Sequence, residues 1–350
     1  MSKRLNDSTI KHYFYGMILV TGATGMVGSH LLLQLLEDNQ QVRALYRDAS
    51  GIEKTKALFN SRNRAHLLDT VEWIQADITD VPSLENAFIG IAYVYHCAAF
   101  ISFDPNDEKK LRKINIEGTA NIVNFCLAFK IKKLCHVSST SALGDLKEFE
   151  NTITEDTEWN PEVAHSDYAI SKYGAEMEVW RAQQEGLVVT VVNPGVILGA
   201  GFWDFGSGLL FTKIANGLSF FTKGSTGFVC VTDVVKAMIA SMKHPTNGTR
   251  FIVVAENISF EKMGKDIAEA LAVKAPDLYA KPWMTEVYWR IDWLMAAILH
   301  RKRFMSQSLA RSLHQKHQYS NHKIKSELGF KFQDINESIR EIAIQYAMKN

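Results

Sequence analysis

Short apolar runs alternate with helical periodicity through the first 200 residues of the chain. Residues 17–20 form an apolar run, a turn rich in glycine follows, and apolar side chains then recur every three or four positions to Leu36. This order predicts a strand, a tight turn and a helix. Apolar runs at 41–46, 71–76, 93–97 and 134–138 predict further strands, with helical spacing over 108–129. Such alternation predicts an α/β fold of Rossmann type, a doubly wound parallel sheet that binds ligands at the carboxyl ends of its strands.

The alternation weakens after residue 200, which divides the chain into three predicted parts. Residues 1–16 are polar and form an N-terminal extension, for which a flexible tail, an added segment and a start assigned too early all stay open. Residues 17–200 form the Rossmann domain. Residues 201–350 form mostly a smaller C-terminal domain over the ligand-binding edge, and a return to the sheet within 228–254 is left open.

The composition favours a globular protein whose partners are small molecules. Hydrophobic residues make up 47% and charged residues 22% of the 350 residues, and the formal net charge is +1. A chain this close to neutral has no overall field to attract nucleic acid. The N-terminus lacks an apolar leader, and the four cysteines are scattered without metal spacing. We therefore expect a cytoplasmic protein with reduced thiols and no metal site.

The glycine-rich turn after the first strand is a candidate site for the pyrophosphate of a dinucleotide. Gly22 permits a sharp turn, Gly25 lets the backbone approach phosphate, and Gly28 lets the helix pack against the strand. The helix N-terminus adds unpaired N–H groups and a favourable dipole. An ordinary strand-to-helix turn is the alternative for the motif alone. The predicted contact residues of this turn are Gly22, Thr24, Gly25, Met26, Val27 and Gly28.

The end of the second predicted strand indicates which dinucleotide would bind. Arg43 and Arg47 lie four residues apart and hence on one face of that strand, where arginine would pair with a 2′-phosphate. This favours NADP. Asp48 is the opposing signal, since a carboxylate there would accept hydrogen bonds from a free ribose, so NAD stays open.

The ends of the third and fourth predicted strands supply further cofactor contacts. Asp77 and Ile78 lie where a side chain can cover the adenine, although Asp77 could instead cap the helix that starts near Pro82. Ala98 and Ala99 are small enough to let the cofactor pass closely. His96 just before them is interpreted as a strand residue that faces the core.

Tyr168 and Lys172 form a candidate proton-transfer pair. They are four residues apart on a predicted helix and therefore share one face. A lysine ammonium near the phenol lowers its pKa from about 10 toward neutrality, so the tyrosine can exchange a proton with a carbinol oxygen. A chance pair on a solvated helix is the better explanation for this spacing taken alone.

Three motifs in order along residues 17–254 together resemble the short-chain dehydrogenases/reductases. They are the Thr-Gly-x-x-Gly-x-x-Gly turn that begins at Thr21, Ser138-Ser139 after the fifth strand, and Tyr168-x-x-x-Lys172. The resemblance is to the extended branch, which includes dihydroflavonol reductases, 3β-hydroxysteroid dehydrogenases, and nucleotide-sugar epimerases and dehydratases. It implies an NAD(P)-dependent enzyme with a C-terminal substrate-binding domain.

The resemblance also implies roles for individual residues. Tyr168 would be the catalytic acid and base, while Lys172 would lower its pKa and hold the nicotinamide ribose. Ser139 would bind the substrate oxygen, with Thr140 as the alternative if the register slips by one. Asn115 matches a position that supports the lysine, often through water. The loop that borders the nicotinamide would be Pro194, Gly195 and Val196, and Asp233 would fix a loop structurally.

Departures from the family pattern favour one activity. Thr140-Ser141 stand where dehydratases of the family have an acid pair, and Val196 stands where nucleotide-sugar epimerases usually have asparagine. Reduction of a carbonyl, or oxidation of the alcohol, is therefore the preferred function. A nucleotide-sugar epimerase and a protein that binds or senses NADP without turnover stay open. The resemblance further implies a homodimer that packs the helices beginning near Asp107 and Tyr168.

The C-terminal part is rich in aromatic residues and suits an apolar or ring-shaped substrate. Phe202 and Trp203 are the predicted substrate contacts, with core packing as the alternative for each. Residues 287–299 are apolar and precede Arg301-Lys302-Arg303, but they are too few and too charged to span a bilayer. Packing within the fold is the preferred interpretation of that helix, with contact to a membrane surface or closure over an apolar substrate as the alternatives.

Overall fold

The computed structural model describes residues 16–204, 206–299, 301 and 303–348. Apart from Gly16, the predicted N-terminal extension lies outside these residues. The strands are β1 (Met17–Thr21), β2 (Val42–Tyr46), β3 (Glu72–Gln75), β4 (Ile91–His96), β5 (Lys133–Val137), β6 (Val189–Pro194), β7 (Val196–Leu198), β8 (Phe220–Phe221), β9 (Ser225–Cys230), β10 (Thr249–Val253), β11 (Glu256–Ser259) and β12 (Leu278–Tyr279).

Helices cover both faces of the main sheet and build the C-terminal region. A π-helical turn, Arg112–Glu117, joins the fourth helix to the fifth. The α-helices are α1 (Met26–Glu37), α2 (Ala49–Ser61), α3 (Val81–Phe88), α4 (Glu108–Leu111), α5 (Gly118–Ala128), α6 (Asp167–Gln184), α7 (Gly208–Ala215), α8 (Val231–Lys243), α9 (Phe260–Ala270), α10 (Pro282–Leu299), α11 (Gln307–Ser312), α12 (His322–Leu328) and α13 (Ile335–Ala347).

The main sheet has seven parallel strands in the order β10-β6-β5-β4-β1-β2-β3. The strand order reverses between β4 and β1, which is the switch point where such sheets bind ligands. The predicted fold class, a doubly wound Rossmann-type sheet, is confirmed. Residues 249–253 contribute its last strand, which pairs with β6.

Two apolar layers hold helices against this sheet. One joins α1, α8 and α12 to the strands, with Leu31, Met238 and Ile324 fully buried. The other joins α3, α5 and α6 to the opposite face, with Phe88 and Val179 fully buried. Each of these side chains removes enough apolar surface from water to contribute about 1.5–3 kcal/mol. The strand ends that carry the candidate site are therefore fixed from both sides.

The smaller C-terminal layer starts where the chain leaves β6. Gly195 allows this exit, because an added Cβ would collide with the carbonyl oxygen of Gly227 in β9. The strands β11, β9 and β7 form a second sheet, and α7, α9 and α13 pack on it around Phe211, Phe228 and Ile339. Among the described residues, none of the helices is both long and apolar enough to cross a membrane.

Candidate active site

The glycine turn between β1 and α1 has the geometry that a pyrophosphate requires. Gly22 has φ +64, and an added Cβ there would lie 2.6 Å from the backbone nitrogen of Ala98. An added Cβ at Gly28 would collide with the carbonyl oxygen of Gly22. Gly25 is the N-cap of α1, and no side chain caps the helix there. The first N–H groups of α1 therefore lack an internal partner and point out of the turn.

The space in front of this turn fits a dinucleotide. An added Cβ at Gly25 would meet only the carbonyl oxygen of Gly22, at 3.3 Å, so this glycine faces an open approach. Ala98 and Ala99 follow β4 directly beside the turn, and the Ala98 N–H donates to Thr21 Oγ1 over 3.2 Å. Thr24 packs against Gly51 at the start of α2. Small side chains thus line the groove on two sides, as a bound NAD(P) needs.

The structure contradicts the predicted role of Arg43. This residue lies second in β2, and its Nη1 donates to the carbonyl oxygens of Ala87 at 2.9 Å and Ile89 at 2.7 Å. Its Nη2 pairs with Glu72 at 2.9 Å, and only 11% of the side chain is exposed. Arg43 thus binds the end of α3, away from the carboxyl edge of the sheet, and cannot hold a 2′-phosphate there.

Arg47 and Asp48 do lie at that edge. Arg47 Nε and Asp48 Oδ2 are 2.9 Å apart, and both side chains are more than 60% exposed. Asp48 is the N-cap residue of α2, yet its side chain makes no capping hydrogen bond. Both the predicted phosphate contact and the opposing carboxylate are therefore accessible, and NADP against NAD stays a prediction.

The two residues predicted to contact adenine after β3, Asp77 and Ile78, differ in what they contact in the structure. Asp77 Oδ1 accepts from the N–H and the hydroxyl of Thr79, both at 2.8 Å, so it shapes its own turn. The N-cap of α3 is Asp80, one of the residues after that turn. Ile78 is buried against Gly118, and its carbonyl oxygen accepts from Asn121 at 2.9 Å. Their predicted contact with adenine stays a prediction.

Tyr168 lies in the first turn of α6, a helix that begins cleanly because Ser166 accepts a capping hydrogen bond from the Ala169 N–H. Ser139 follows β5, and its hydroxyl lies close enough to the Tyr168 phenol to affect its pKa. Burial raises the pKa of Tyr168, and the neighbouring Ser139 hydroxyl opposes the rise. The net change is opposite to the lowering expected from Lys172. The phenol is therefore protonated at neutral pH and is ready to donate.

Lys172 lies one turn further along α6 and is 2% exposed. Its Nζ donates to the carbonyl oxygen of Val137 at the end of β5, over 2.8 Å. Burial lowers the pKa of Lys172 to about 8, and the charge of Glu176 opposes that effect. The ammonium is thus cationic at neutral pH and becomes neutral in mildly alkaline solution.

Asn115 lies in the π-helical turn and connects two parts of the site. Its Nδ2 donates to the Phe100 carbonyl oxygen and to Ser171 Oγ, both at 2.9 Å, and its Oδ1 accepts from the Phe100 N–H at 2.7 Å. Ser171 precedes Lys172 and donates to the Tyr168 carbonyl oxygen at 2.8 Å. Asn115 therefore fixes the loop after β4 against α6, and its predicted support of Lys172 through water stays a prediction.

A buried histidine extends this network to the glycine turn. His96 Nε2 lies 3.0 Å from Thr119 Oγ1, and Nδ1 lies 2.7 Å from Thr21 Oγ1. Thr119 uses its only hydrogen on the Asn115 carbonyl oxygen, so it must accept from His96 Nε2–H, and Thr21 must donate to Nδ1. Burial and then the Lys172 charge lower the pKa of His96 to about 3, which keeps it neutral. His96 faces the core as predicted. The sequence did not indicate that it links the glycine turn, through Thr21, to Asn115, through Thr119.

Glu176 is a second residue that the sequence interpretation missed. It is fully buried one turn beyond Lys172 on the same face of α6. Its Oε2 accepts from Ser138 at 2.6 Å and from Asn193 at 2.9 Å, and its Oε1 pairs with Arg250 at 3.0 Å. A carboxylate at the position after Tyr168 and Lys172 in this four-residue repeat was the signal that could have found it.

The remaining predicted contacts lie around this center. Thr140 is 8% exposed and lies near the side chain of Tyr319. Pro194 ends β6, while Gly195 and Val196 lead into β7. Asp233 is buried and accepts from the Gln333 N–H at 2.8 Å, a structural contact that holds the segment before α13.

Phe202 and Trp203 lie in the smaller layer and are 2% and 8% exposed. The Trp203 ring makes edge-to-face contacts with Phe211 and Tyr346, at centroid distances of 6.4 and 5.0 Å. Both residues also border a cavity of about 390 Å³ beside Leu58 of α2. Their burial is explained by packing, and a substrate contact stays a prediction.

The sequence is similar to a known protein family and to individual proteins of known sequence. Residues 18–255 match the NAD dependent epimerase/dehydratase family. The sterol demethylase protein B of Methylococcus capsulatus is 30% identical over 268 residues, which cover 75% of this chain and 77% of that protein. The putative dihydroflavonol 4-reductase of Synechocystis sp. is 25% identical over 330 residues, 92% of each chain.

Solved structures share the architecture. The UDP-glucose 4-epimerase of Thermotoga maritima, solved with UDP-glucose, matches with a TM-score of 0.76 and covers 95% of this chain and 99% of that chain. Its sequence identity is 19%, so this likeness shows the fold alone.

Proposed function

Because the chain belongs to the NAD dependent epimerase/dehydratase family, we propose a function among the oxidoreductases of its extended short-chain dehydrogenase/reductase branch. The proposed activity is NADP(H)-dependent reduction of a carbonyl group, or oxidation of the alcohol, in an apolar ring-containing substrate. The Ser139 hydroxyl beside the Tyr168 phenol, with Lys172 on the same helix as Tyr168, is the observation that carries this proposal.

The described residues suit the reductive direction. A bound nicotinamide would supply or accept a hydride at the substrate carbon. Tyr168 is protonated, and its O–H can give a proton to the carbonyl oxygen as negative charge develops there. The Ser139 hydroxyl can donate a second hydrogen bond to the same oxygen, which stabilises that charge. Lys172, cationic below about pH 8, adds a positive charge to the same buried region.

Arg47 supports NADP as the preferred cofactor. It stands at the carboxyl end of β2, and its guanidinium is exposed and can form charge-assisted hydrogen bonds with a 2′-phosphate. Its present partner is the neighbouring Asp48, an exposed ion pair that is worth little and can be exchanged for phosphate.

Two observations support this proposal, one for the substrate class and one for the type of reaction. Relatives include the sterol demethylase protein B and dihydroflavonol 4-reductases, whose names refer to ring compounds. Thr140-Ser141 and Val196 also depart from the dehydratase and nucleotide-sugar epimerase patterns. Simple carbonyl reduction needs neither the acid pair nor the asparagine that these positions lack.

The test is the stoichiometry of cofactor oxidation with a panel of cyclic ketones and nucleotide-sugars. A reductase consumes one NADPH per product, while an epimerase forms an isomer without net consumption. We expect Tyr168→Phe to keep cofactor affinity and to lower turnover by about 10² to 10⁴. Isomer formation without NADPH oxidation would replace this proposal with the epimerase. Cofactor binding without turnover of any compound would favour the sensing protein.

A further inference from the structure

The helix α10 is amphipathic, but it buries its polar side and exposes its apolar side. The residues it buries are Thr285, Asp292 and Ala296. Its exposed side carries an apolar stripe with a spacing of four, four, three and four residues, which places all its members on one helix face. The stripe consists of Trp283, Val287, Ile291, Leu294 and Ile298, each between 47% and 64% exposed.

The rotation of this helix is fixed by its polar side. Asp292 accepts hydrogen bonds from Arg301 at 2.7 Å and from the N–H groups of Phe304 and Met305 at 2.8 and 3.0 Å. Thr285 Oγ1 lies 2.9 Å from His314 Nε2. Turning the stripe inward would break these contacts. Packing within the fold therefore does not explain the apolar residues of α10.

The charge around α10 indicates what covers the stripe. Residues 278–318 contain seven lysines and arginines and two acidic residues, a net charge of +5, while the whole chain has +1. Both acidic residues, Glu286 and Asp292, are already paired with arginine. In sequence, Lys281 precedes the helix, and Arg301, Lys302 and Arg303 follow it. An apolar stripe with cations at both ends complements the anionic surface and acyl boundary of a bilayer.

A second copy of the chain fits this surface less well. In an antiparallel pair of α10 helices, Lys281 of one copy would face the basic residues after the helix of the other, without a free carboxylate on the stripe to separate them. Like charges at such an interface cost binding energy. Trp283, Tyr288 and Trp293 are each about half-exposed or more, and such aromatic rings favour the interface between headgroups and acyl chains.

We propose that α10 binds an anionic membrane surface, lying in its plane with the stripe inserted at the level of the headgroups. This inference is independent of the reaction assigned above, because it rests on the exposed face and the local charge alone. The segment after α11 leads from His314 to Tyr319, which contacts Thr140. The docked face is therefore connected to the substrate side of the site.

The test is flotation of the full chain with vesicles of phosphatidylcholine, alone or with about 30 mol % phosphatidylglycerol. We expect flotation with the anionic vesicles and its loss in about 0.5 M NaCl. Ile291→Glu should reduce binding at least about tenfold, since it places a charge in the inserted stripe. The matched control is Ile344→Glu on α13, because Ile344 and Ile291 are both 56% exposed, and it should float like the wild type.

Three results would overturn the proposal. One is absence of flotation with anionic vesicles, and another is equal binding by the two glutamate variants. The third is a wild-type dimer without vesicles that only Ile291→Glu converts to a monomer, which would assign the stripe to a second copy. Thermal unfolding of both variants controls for folding, since each change is at an exposed position.

Discussion

The charge of Glu176 should set the pH at which the enzyme loses activity on the alkaline side. Glu176 lies one turn from Lys172. The Cβ atoms of helix residues four apart are about 6 Å from each other, and we take this distance as the separation of the two charges. At an effective dielectric constant of about 20, a unit charge at that distance is worth about 3 kcal/mol, or about two pKa units. Arg250, 3.0 Å from Glu176, cancels part of that field. We therefore expect Glu176→Gln to move the pKa of Lys172 down by about one unit.

The sign of the effect on activity follows from the protonation of Lys172. Its pKa is about 8, so the cation required near Tyr168 is lost as the pH rises through that value. Glu176→Gln should shift the alkaline limb of a kcat/KM profile toward lower pH. Arg250→Gln removes the opposing cation and should shift the limb toward higher pH.

These two substitutions are matched, because each breaks the same buried ion pair. Breaking such a pair costs about 3–5 kcal/mol of stability, so both variants should unfold at lower temperature. A purely structural role of Glu176 predicts loss of stability in both variants and no opposite displacement of their pH profiles. Limbs that move in the same direction, or that stay in place in folded protein, would refute the electrostatic coupling.

Three further predictions concern the cofactor and the assembly. Arg47→Ala should weaken NADPH binding about 5- to 30-fold and leave NADH binding unchanged, because one exposed charge-assisted contact with the 2′-phosphate is lost. Kd values for both cofactors test this, and equal weakening of both would exclude the 2′-phosphate contact. Gly28→Ala should lower the Tm, since its Cβ collides with the Gly22 carbonyl oxygen, whereas Gly25→Ala should keep the Tm and lose cofactor affinity, because only its approach to phosphate is blocked. We expect a homodimer that packs the helices beginning near Asp107 and Tyr168, so light scattering should show a dimer at micromolar concentration, and a monomer under those conditions would contradict this.

The sheet and its glycine turn could be predicted because they depend on contacts within short segments. The apolar runs of β1, β4 and β6 are buried on both faces, so each run is a signal in itself. Gly22 is required by its φ of +64 in the turn, and Gly28 by a backbone approach within the same strand-turn-helix unit. Tyr168 and Lys172 follow from the repeat of one helix, and the family resemblance added Ser139, which lies on a different element.

The predictions from the sequence were wrong where the partner of a side chain comes from a distant part of the chain. Arg43 and Arg47 were predicted to share one strand face at the ligand-binding edge, but β2 ends at Tyr46 before Arg47, and Arg43 lies near the opposite end and meets the carbonyl oxygens at the end of α3. The periodicity of a strand indicates which face a side chain lies on, but not how far the residue lies from the ligand-binding edge of the sheet. The shift in the pKa of Tyr168 was missed for a related reason, because burial by the whole fold outweighs the charge of one neighbouring lysine.

The same reasoning explains why α10 could not be assigned from its sequence. Its apolar residues predict a buried stripe, since a helix usually turns its apolar face inward. Asp292 reverses this orientation through hydrogen bonds to residues 301, 304 and 305, which no local pattern encodes. One buried carboxylate therefore decides whether the stripe is core or surface. If Asp292→Asn abolished flotation while Ile344→Glu did not, the orientation of the helix, and not its apolar content, would be the property that binds the membrane.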